Sequence, residues 1–201
     1  MPTIAVLPAV EAAPRQQLRM VWPTVLLASP PPLRLAAGYT LRTWQLGDEP
    51  GFYRVMALAG FGQWDEERLR PSRARMLPSG WFFIVHDATG IIVTTAMATH
   101  NPTPFHPFGG ELGWVAGDPD HKGHGLGHTV CAAVTNRFLS AGYQNIYLLT
   151  DDWRLPALKT YLKLGYQPFL FAPDMADRWQ VICEQLAWPF TPDSWPQVES
   201  N

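Results

Sequence analysis

Three glycines that alternate along the chain, Gly123, Gly125 and Gly127, are the first residues whose spacing could do chemistry. They lie in the segment 118–128, which follows an apolar run and leads into a helical pattern. Their backbone can turn sharply and leaves its N–H groups uncovered, so these amides and a helix N-terminus would form a site for a phosphate or pyrophosphate. Lys122 adds a positive charge. The same triplet is also compatible with a turn that binds nothing, and neither the dinucleotide fingerprint nor the Gly-Lys-Ser/Thr phosphate loop fits it.

A second pattern lies about thirty residues further on, in the next segment with helical spacing. It reads Ala157-x-x-x-Tyr161-x-x-x-Gly165-Tyr166, so the alanine and the first tyrosine fall on one face of a helix that ends at the glycine. A tyrosine in this place either packs as a core residue or offers its hydroxyl proton to a reacting group. With this composition the combination would rarely arise by chance, whereas the glycine triplet arises by chance more often.

Strands and helices alternate around these two patterns. Apolar runs rich in β-branched residues predict strands, and apolar residues that recur every three or four positions predict helices. The predicted strands cover residues 39–44, 81–85, 91–98, 111–116, 145–150, 166–171 and 178–184. The predicted helices cover residues 50–60, 65–70, 126–141 and 155–164, and Pro71 is expected to interrupt or kink the second of them. The order is strand, two helices, three strands, helix, strand, helix and final strands.

The composition excludes several classes of protein. Of the 201 residues 47% are hydrophobic and only 16% are charged, which predicts a packed core rather than a disordered chain. The net charge is −2 and no long basic run occurs, so we expect no nucleic-acid partner and no anionic membrane surface. No apolar stretch approaches about 18 residues, and no basic residue precedes the first apolar run. We therefore expect a soluble, cytoplasmic protein.

The cysteines and histidines do not have the spacing of a metal site. Cys131 and Cys183 stand in apolar surroundings and cannot form a disulfide framework, so they are interpreted as small buried side chains. The histidines show no ligand spacing either, and we expect no metal.

The chain ends differ from the middle. Residues 1–38 contain seven prolines and predict an extension packed on the domain, with short extended pieces at 18–22 and 24–27 placed at a sheet edge, where proline is tolerated. Residues 39–184 form the predicted domain, and residues 185–201 form a tail. The extension, together with Trp188 and Trp195 of the tail, could serve the interface of a homodimer.

Together, the strand, the glycine loop, the helix and the Ala157-Tyr161-Gly165 pattern resemble the GNAT superfamily of acyl-CoA N-acyltransferases. The resemblance covers residues 39–171, and it is strongest over 111–166. It implies an α/β (α+β) fold with a mixed, mostly antiparallel central sheet of six to seven strands. One parallel strand pair of that sheet is expected to splay, and about four helices are expected around it.

The resemblance also implies a coenzyme site. The loop Lys122, Gly123, His124, Gly125, Leu126 and Gly127 matches the segment whose amides hold the pyrophosphate of coenzyme A in the family. The backbone of Val115, Ala116 and Gly117 would pair with the pantetheine arm. His128 and Arg154 are further binding candidates, and each is equally compatible with a solvated surface residue. The family usually has Arg or Gln at position 122, Val at 117 and Asn at 154, so these three positions depart from it.

The resemblance implies catalytic and acceptor residues as well. Tyr161 matches the usual general acid, and Glu111 stands at the start of a strand where some members place a general base. A glutamate at a strand end is also commonly just solvated. Phe61, Trp64, Phe105 and Phe108 fall in segments that shape the acceptor pocket in the family, although aromatic residues there could equally belong to the core.

These residues predict transfer of an acetyl or other acyl group from acetyl-CoA to a small-molecule or peptide amine by direct attack. Neither cysteine stands where a covalent intermediate would form. The alternative is a regulatory protein that binds acyl-CoA without turnover, and the departures at Gly117 and Arg154 leave room for it.

Overall fold

The computed structural model describes residues 16–198. Seven strands form one sheet: β1 (Leu18–Val21), β2 (Tyr39–Thr43), β3 (Met76–His86), β4 (Ile92–His100), β5 (Gly110–Gly117), β6 (Ile146–Thr150) and β7 (Gln167–Pro168). Five α-helices accompany them: α1 (Glu49–Leu58), α2 (Glu66–Arg75), α3 (Leu126–Ser140), α4 (Leu155–Leu164) and α5 (Met175–Leu186). This is the predicted mixed α/β class, with five helices in the described chain where about four were expected.

The sheet opens between β5 and β6. The strand order is β2-β3-β4-β5-β6-β1-β7, and all neighbours are antiparallel except β5 and β6. That parallel pair is held only at Gly110 opposite Ile146 and at Glu111 opposite Tyr147. Beyond Glu111 the two strands part, which confirms the predicted splay.

Two apolar layers pack on opposite faces of the sheet. On one face α3 and α4 supply Val130, Phe138 and Leu158, all fully buried, as the period of the helical pattern predicted. On the other face α1 and α2 supply a smaller cluster that contains Phe52 and Leu69. Strand β5 packs against helices of both layers, so the opening beside it lies between the two layers.

The last predicted strand is wrong. Residues 178–184 belong to α5, and the buried side chains of this segment are Arg178, Trp179, Ile182 and Cys183. Their spacing of three and four positions is that of a helix face, and the alternation that a strand requires is absent. The strand predicted at 166–171 is reduced to two paired residues, because Pro168 has no N–H to continue a ladder.

The predicted sheet-edge position of residues 18–22 is also wrong. Strand β1 is an interior strand that pairs with β6 on one side and with β7 on the other. Leu18 and Met20 are fully buried, which gives this short strand two of the best-covered side chains of the sheet. Residues 24–26 form a single turn of 3₁₀-helix instead of an extended piece.

Helix α2 continues through Pro71, so the helix is not interrupted where the sequence predicted an interruption or a kink. Asp65 caps the helix by accepting the N–H of Arg68 at 2.9 Å. At its other end, Arg73 donates to Glu49 of α1 at 2.8 Å. These contacts hold both ends of α2, so the loss of one backbone donor at Pro71 does not end it.

Candidate active site

A groove of about 850 Å³ lies where β5 leaves β6. Its walls are the end of β5, the following loop, the first turn of α3 and one face of α4. Twelve of the residues singled out from the sequence line it: Val115, Ala116, Gly117, Lys122, Gly123, His124, Gly125, Leu126, Gly127, His128, Arg154 and Tyr161. Glu111, Phe61, Trp64 and Phe105 lie outside this lining.

The first turn of α3 presents free backbone N–H groups to the groove. The N-cap residue Gly125 has a left-handed backbone (φ 73°) and gives the helix no side-chain cap. Gly123 is left-handed too, with φ 94°. A β-carbon at either position, or at Gly127, would meet nothing within 4 Å. These amides therefore face open space with the positive end of a 15-residue helix behind them, which suits a phosphate group.

The loop that carries these glycines is fastened at Asp118. One oxygen of this buried carboxylate accepts the N–H of Asp120 at 3.1 Å, and the other accepts from Arg54 of α1 at 2.8 Å. Burial of the carboxyl raises its pKa, but the hydrogen bonds from Asp120 and Arg54 outweigh burial and hold the pKa of Asp118 below its usual value. Asp118 thus ties the glycine loop to the opposite layer of the fold.

We expect Asp118→Asn to lower the free energy of unfolding at neutral pH, because Arg54 loses its charged partner. A lowered carboxyl pKa stabilises the fold above the ordinary value of 3.8 and ceases to do so as the pH falls through the folded-state pKa. The difference between the two proteins should therefore shrink in acid. Urea unfolding at neutral and acidic pH measures it, and an Arg54→Met double-mutant cycle isolates the pair. A pH-independent difference would contradict this account.

Four positive side chains of the described residues border the groove. The sequence had singled out Lys122 and Arg154, and the structure adds Arg34 and Lys163. Arg34 comes from the proline-rich extension, whose backbone meets α3 through a hydrogen bond from the Thr129 hydroxyl to the Arg34 carbonyl. The pKa of His128 is lowered, first by burial and then by the charges of Arg34 and Lys163. No local motif pointed to Arg34, because it lies far from the loop in sequence.

Tyr161 lies on the wall that α4 contributes. Its side chain is 5% exposed, and its hydroxyl makes no hydrogen bond with the described residues. Burial raises the pKa of Tyr161 well above the usual value for tyrosine, with smaller contributions from Cys131 and Tyr166. The phenol therefore keeps its proton at neutral pH. The nearby thiol of Cys131 is fully buried, which raises its pKa and makes it a poor nucleophile.

Glu111 lies on the sheet face opposite the α3–α4 layer. Leu112 points into that layer, and successive side chains of a strand alternate. A β-carbon at Gly113 would come within 3.8 Å of a Glu111 carboxylate oxygen, so these two positions share a face. The other carboxylate oxygen accepts a hydrogen bond from Asn101. Glu111 stands at the last paired position of β5 and β6, directly before the opening.

The predicted acceptor aromatics fall into two groups. Trp64 is buried against the ring of Trp114 (4.6 Å between centroids), and Phe61 packs at the edge of the same cluster. Phe105 is 40% exposed and lies elsewhere, and Phe108 is 68% exposed. Only Phe61 reaches toward the groove, because the Arg154 guanidinium lies 4.2 Å over its ring.

Trp114 is a residue that the sequence analysis missed. Its backbone has φ 53°, and the register of β4 against β5 shifts close to it. Its indole N–H donates to the Ser72 hydroxyl at 2.8 Å, which fixes the ring over α2. This irregularity bends β5 where it leaves β6. A tryptophan in an apolar strand gives no local sign of such a bend.

A sheet that opens at one parallel strand pair, with an uncapped glycine-rich helix start beside the opening, defines the acyl-CoA N-acyltransferase fold. The family model described as "Acetyltransferase (GNAT) family" matches residues 40–166, and the chain belongs to this family. Among solved structures, a GCN5-related N-acetyltransferase from Sphaerobacter thermophilus is 23% identical with a TM-score of 0.60, over 77% of this chain and 49% of that chain. A Mycobacterium tuberculosis protein solved with CoA is 19% identical with a TM-score of 0.52, over 72% and 81%.

Curated relatives share the same region. A mycothiol acetyltransferase from Saccharomonospora viridis is 30% identical over 148 residues, which make up 68% of this chain and 48% of that protein. One from Thermomonospora curvata is 29% identical over 171 residues, or 81% and 56%. The chain therefore spans about half the length of the curated relatives it matches.

Residues 16–198 contain neither a membrane-spanning helix nor a cluster of metal-binding side chains. No helix in this range combines the length and apolar character needed to cross a membrane. No group of three or more His, Cys, Asp or Glu side chains in it is arranged to hold a metal ion.

Proposed function

We propose that this protein is an N-acetyltransferase that moves an acetyl group from acetyl-CoA to a primary amine by direct attack. The observation that carries the proposal is the groove, because it combines the uncapped amides of the α3 first turn with the Tyr161 hydroxyl on the facing helix. Membership of the GNAT family supports it, as does the name acetyltransferase that the curated relatives share.

Acetyl-CoA supplies the activated thioester, and the residues of this chain bind and orient it. The amides at Gly123 to Gly127, with Lys122, Arg154, Arg34 and Lys163 nearby, would neutralise its phosphates. Within residues 16–198, the backbone of β5 beyond Glu111 has no partner strand on the β6 side, so its polar groups can pair with the pantetheine arm. Backbone N–H groups there would polarise the thioester carbonyl.

Two proton transfers complete the reaction. A primary amine with a pKa of about 10.4 is mostly protonated at pH 7, which withholds the reactive form by about 4–5 kcal/mol. Glu111, from the face opposite the groove, would take this proton directly or through water. Tyr161 would donate its hydroxyl proton or a hydrogen bond to the departing thiolate. The two groups approach the opening of the sheet from different walls, so acid and base need not exchange roles.

Turnover with acetyl-CoA and a panel of amines tests the proposal. We expect release of the coenzyme thiol that depends on the amine, with the N-acetylated product identified by mass spectrometry. Because the curated relatives are named mycothiol acetyltransferases, the amine acceptor of those enzymes belongs in the panel. Tight acetyl-CoA binding with no product for any amine would favour the regulatory alternative. The cytoplasmic location and the homodimer stay predictions.

We expect Glu111→Gln to change the pH profile of acetyl transfer. Without the carboxylate the rate should follow the free-base fraction of the amine, so kcat/KM should keep rising toward alkaline pH. The native protein should level off earlier with the same amine, whereas an acceptor of low pKa should make the two proteins similar. Glu184→Gln, an exposed change on α5, is the matched control. Equal profiles for Glu111→Gln and the native protein with a basic amine would remove Glu111 from the mechanism.

A further inference from the structure

Arg19 shares a face of the sheet with Glu111. On β1 its neighbours Leu18 and Met20 both point into the α3–α4 layer, so the Arg19 side chain points to the opposite face. On β6 the buried Ile146 and Leu148 likewise leave Tyr147 on that opposite face. Tyr147 stands opposite Glu111 in the parallel pair. Arg19, Tyr147 and Glu111 therefore share one face of three adjacent strands, with Arg19 opposite Leu149, two positions beyond Tyr147.

The guanidinium of Arg19 has no anionic partner in the described chain. Its central carbon lies 5.0 Å from the Phe105 centroid and 5.1 Å from the Phe171 centroid, and the two centroids are 5.5 Å apart, so both rings lie on one side of the guanidinium. Its Nη1 is buried without a hydrogen-bond partner, and no hydrogen bond or ion pair of this side chain is found within residues 16–198. Arginine has five N–H donors, and a desolvated guanidinium without an acceptor is costly.

The backbone holds Arg19 rigidly in this position. Its carbonyl accepts the N–H of Phe169 at 3.0 Å, and β1 pairs with strands on both sides. The side chain is thus a positioned cation with a planar fork, and the rings of Phe105 and Phe171 pack against one side of it. Arg19 itself is partly exposed although its Nη1 is buried, so the remaining part of the guanidinium can be reached by a molecule that approaches this face.

The groups around Arg19 do not neutralise it. His106, which stacks on Tyr147 at 4.1 Å, has its pKa lowered to about 4, first by burial and also by the Arg19 charge, so it is neutral at pH 7. Burial raises the pKa of Tyr147 to about 12. Glu111 acts on Arg19 only through space, since its bonded partner is Asn101. Arg75, which also bonds Asn101, adds a second cation, so an added anion would balance the charges of this region.

We propose that Arg19 binds a carboxylate of the amine acceptor, which makes the acceptor an amino acid or another small amine that carries a carboxylate. This inference rests on the proposed acetyl transfer. The amine would be directed to Glu111 at the opening of the sheet, and the carboxylate to the Arg19 fork on the same face. A carboxylate matches the fork because it can accept two parallel N–H bonds. A peptide that offers its N-terminus has its carboxylate far from the amine, so it lacks this match.

The test compares amino acids with their own primary amides as acceptors. Each pair differs only at the carboxylate, and the amine of the amide is the weaker base, which favours the amide. A preference of the native protein for the acid therefore cannot come from amine basicity. We expect kcat/KM to be about 10- to 100-fold higher for the acid, as charge-assisted hydrogen bonds predict.

Three variants show which residue causes the preference for the amino acid over its amide. Arg19→Gln should abolish it, and Arg19→Lys should keep the charge but only part of the preference. Arg70→Gln, an exposed change of the same charge on α2, should leave the preference intact. Affinity for acetyl-CoA should be unchanged in all three, which shows that each has folded. The assignment is overturned if Arg19→Gln keeps the native preference, or if it lowers kcat/KM for acids and amides equally.

Calorimetry distinguishes a failure of the proposed acetyl transfer from a failure of the proposed Arg19 site. Amino acids are titrated into the native protein and into Arg19→Gln, each saturated with coenzyme A. If an amino acid binds only when Arg19 is present but is never acetylated, the proposed activity is wrong and the Arg19 site stands. If acids and amides are acetylated equally well by the native protein, the activity stands and the Arg19 site is wrong.

Discussion

Tyr161→Phe should lower kcat by roughly 10²–10⁴-fold and leave the affinity for acetyl-CoA nearly unchanged. The phenol ring packs in the α3–α4 layer and would stay there in the variant, whereas the hydroxyl has no partner among the described residues and borders the groove. Because burial raises its pKa, the hydroxyl is protonated at neutral pH and can donate to the thiolate as that charge forms. Its loss should therefore act on the transition state and only weakly on binding.

Tyr166→Phe is the matched control for this prediction. Tyr166 is 1% exposed on the same layer, but its hydroxyl bonds the Thr135 hydroxyl at 2.9 Å and does not reach the groove. Its loss should lower the melting temperature without a large effect on kcat. The measurements are steady-state kinetics, single-turnover kinetics to show that chemistry limits the rate, and acetyl-CoA titration. A native kcat in Tyr161→Phe, with chemistry rate-limiting, would leave Tyr161 as a packing residue.

The sequence predicted those parts of the site whose backbone conformation is determined by a short segment of the chain alone. Gly123 and Gly125 have left-handed backbones that glycine adopts without strain, and such a requirement is visible in the residue type. Tyr161 and Gly165 stand on one helix, whose period and C-cap place them without reference to the rest of the chain. The loop, the helix that follows it and the helix of Tyr161 could therefore be predicted together.

The parts that the sequence did not predict depend on long-range pairing. Arg19 acquires its position from β1, which enters the sheet between β6 and β7, and nothing within residues 16–22 indicates that insertion. Arg34 meets α3 through a backbone contact across 95 positions. Trp179 and Ile182 of α5 were predicted as strand residues, because seven residues are too few for the three- and four-residue spacing of the buried side chains to stand out in the sequence. In each case the structure is decided by the elements that the segment pairs with or packs against, and not by the residues of the segment alone.

Gly125→Val should lower the affinity for acetyl-CoA by about 100-fold or more. A valine side chain at the N-cap would enter the space that the amides of the α3 first turn face. Hydrogen bonds to a charged phosphate contribute about 1.5–3 kcal/mol each, so the loss of two accounts for this effect. The variant also carries backbone strain, since φ is 73° at this position, and a change in binding alone would not separate strain from obstruction.

Gly142→Val separates these two effects. Gly142 follows the other end of α3 with φ 79°, and a β-carbon there meets nothing within 4 Å, as at Gly125. Both variants should therefore lose about 1–2 kcal/mol of stability, equivalent to roughly 2–8 °C in melting temperature. Gly142 lies outside the groove lining, so its variant should bind acetyl-CoA with native affinity. Calorimetric titration of both variants gives the comparison. Equal affinities would show that the first turn of α3 does not hold the coenzyme, because strain is matched and only the position relative to the groove differs.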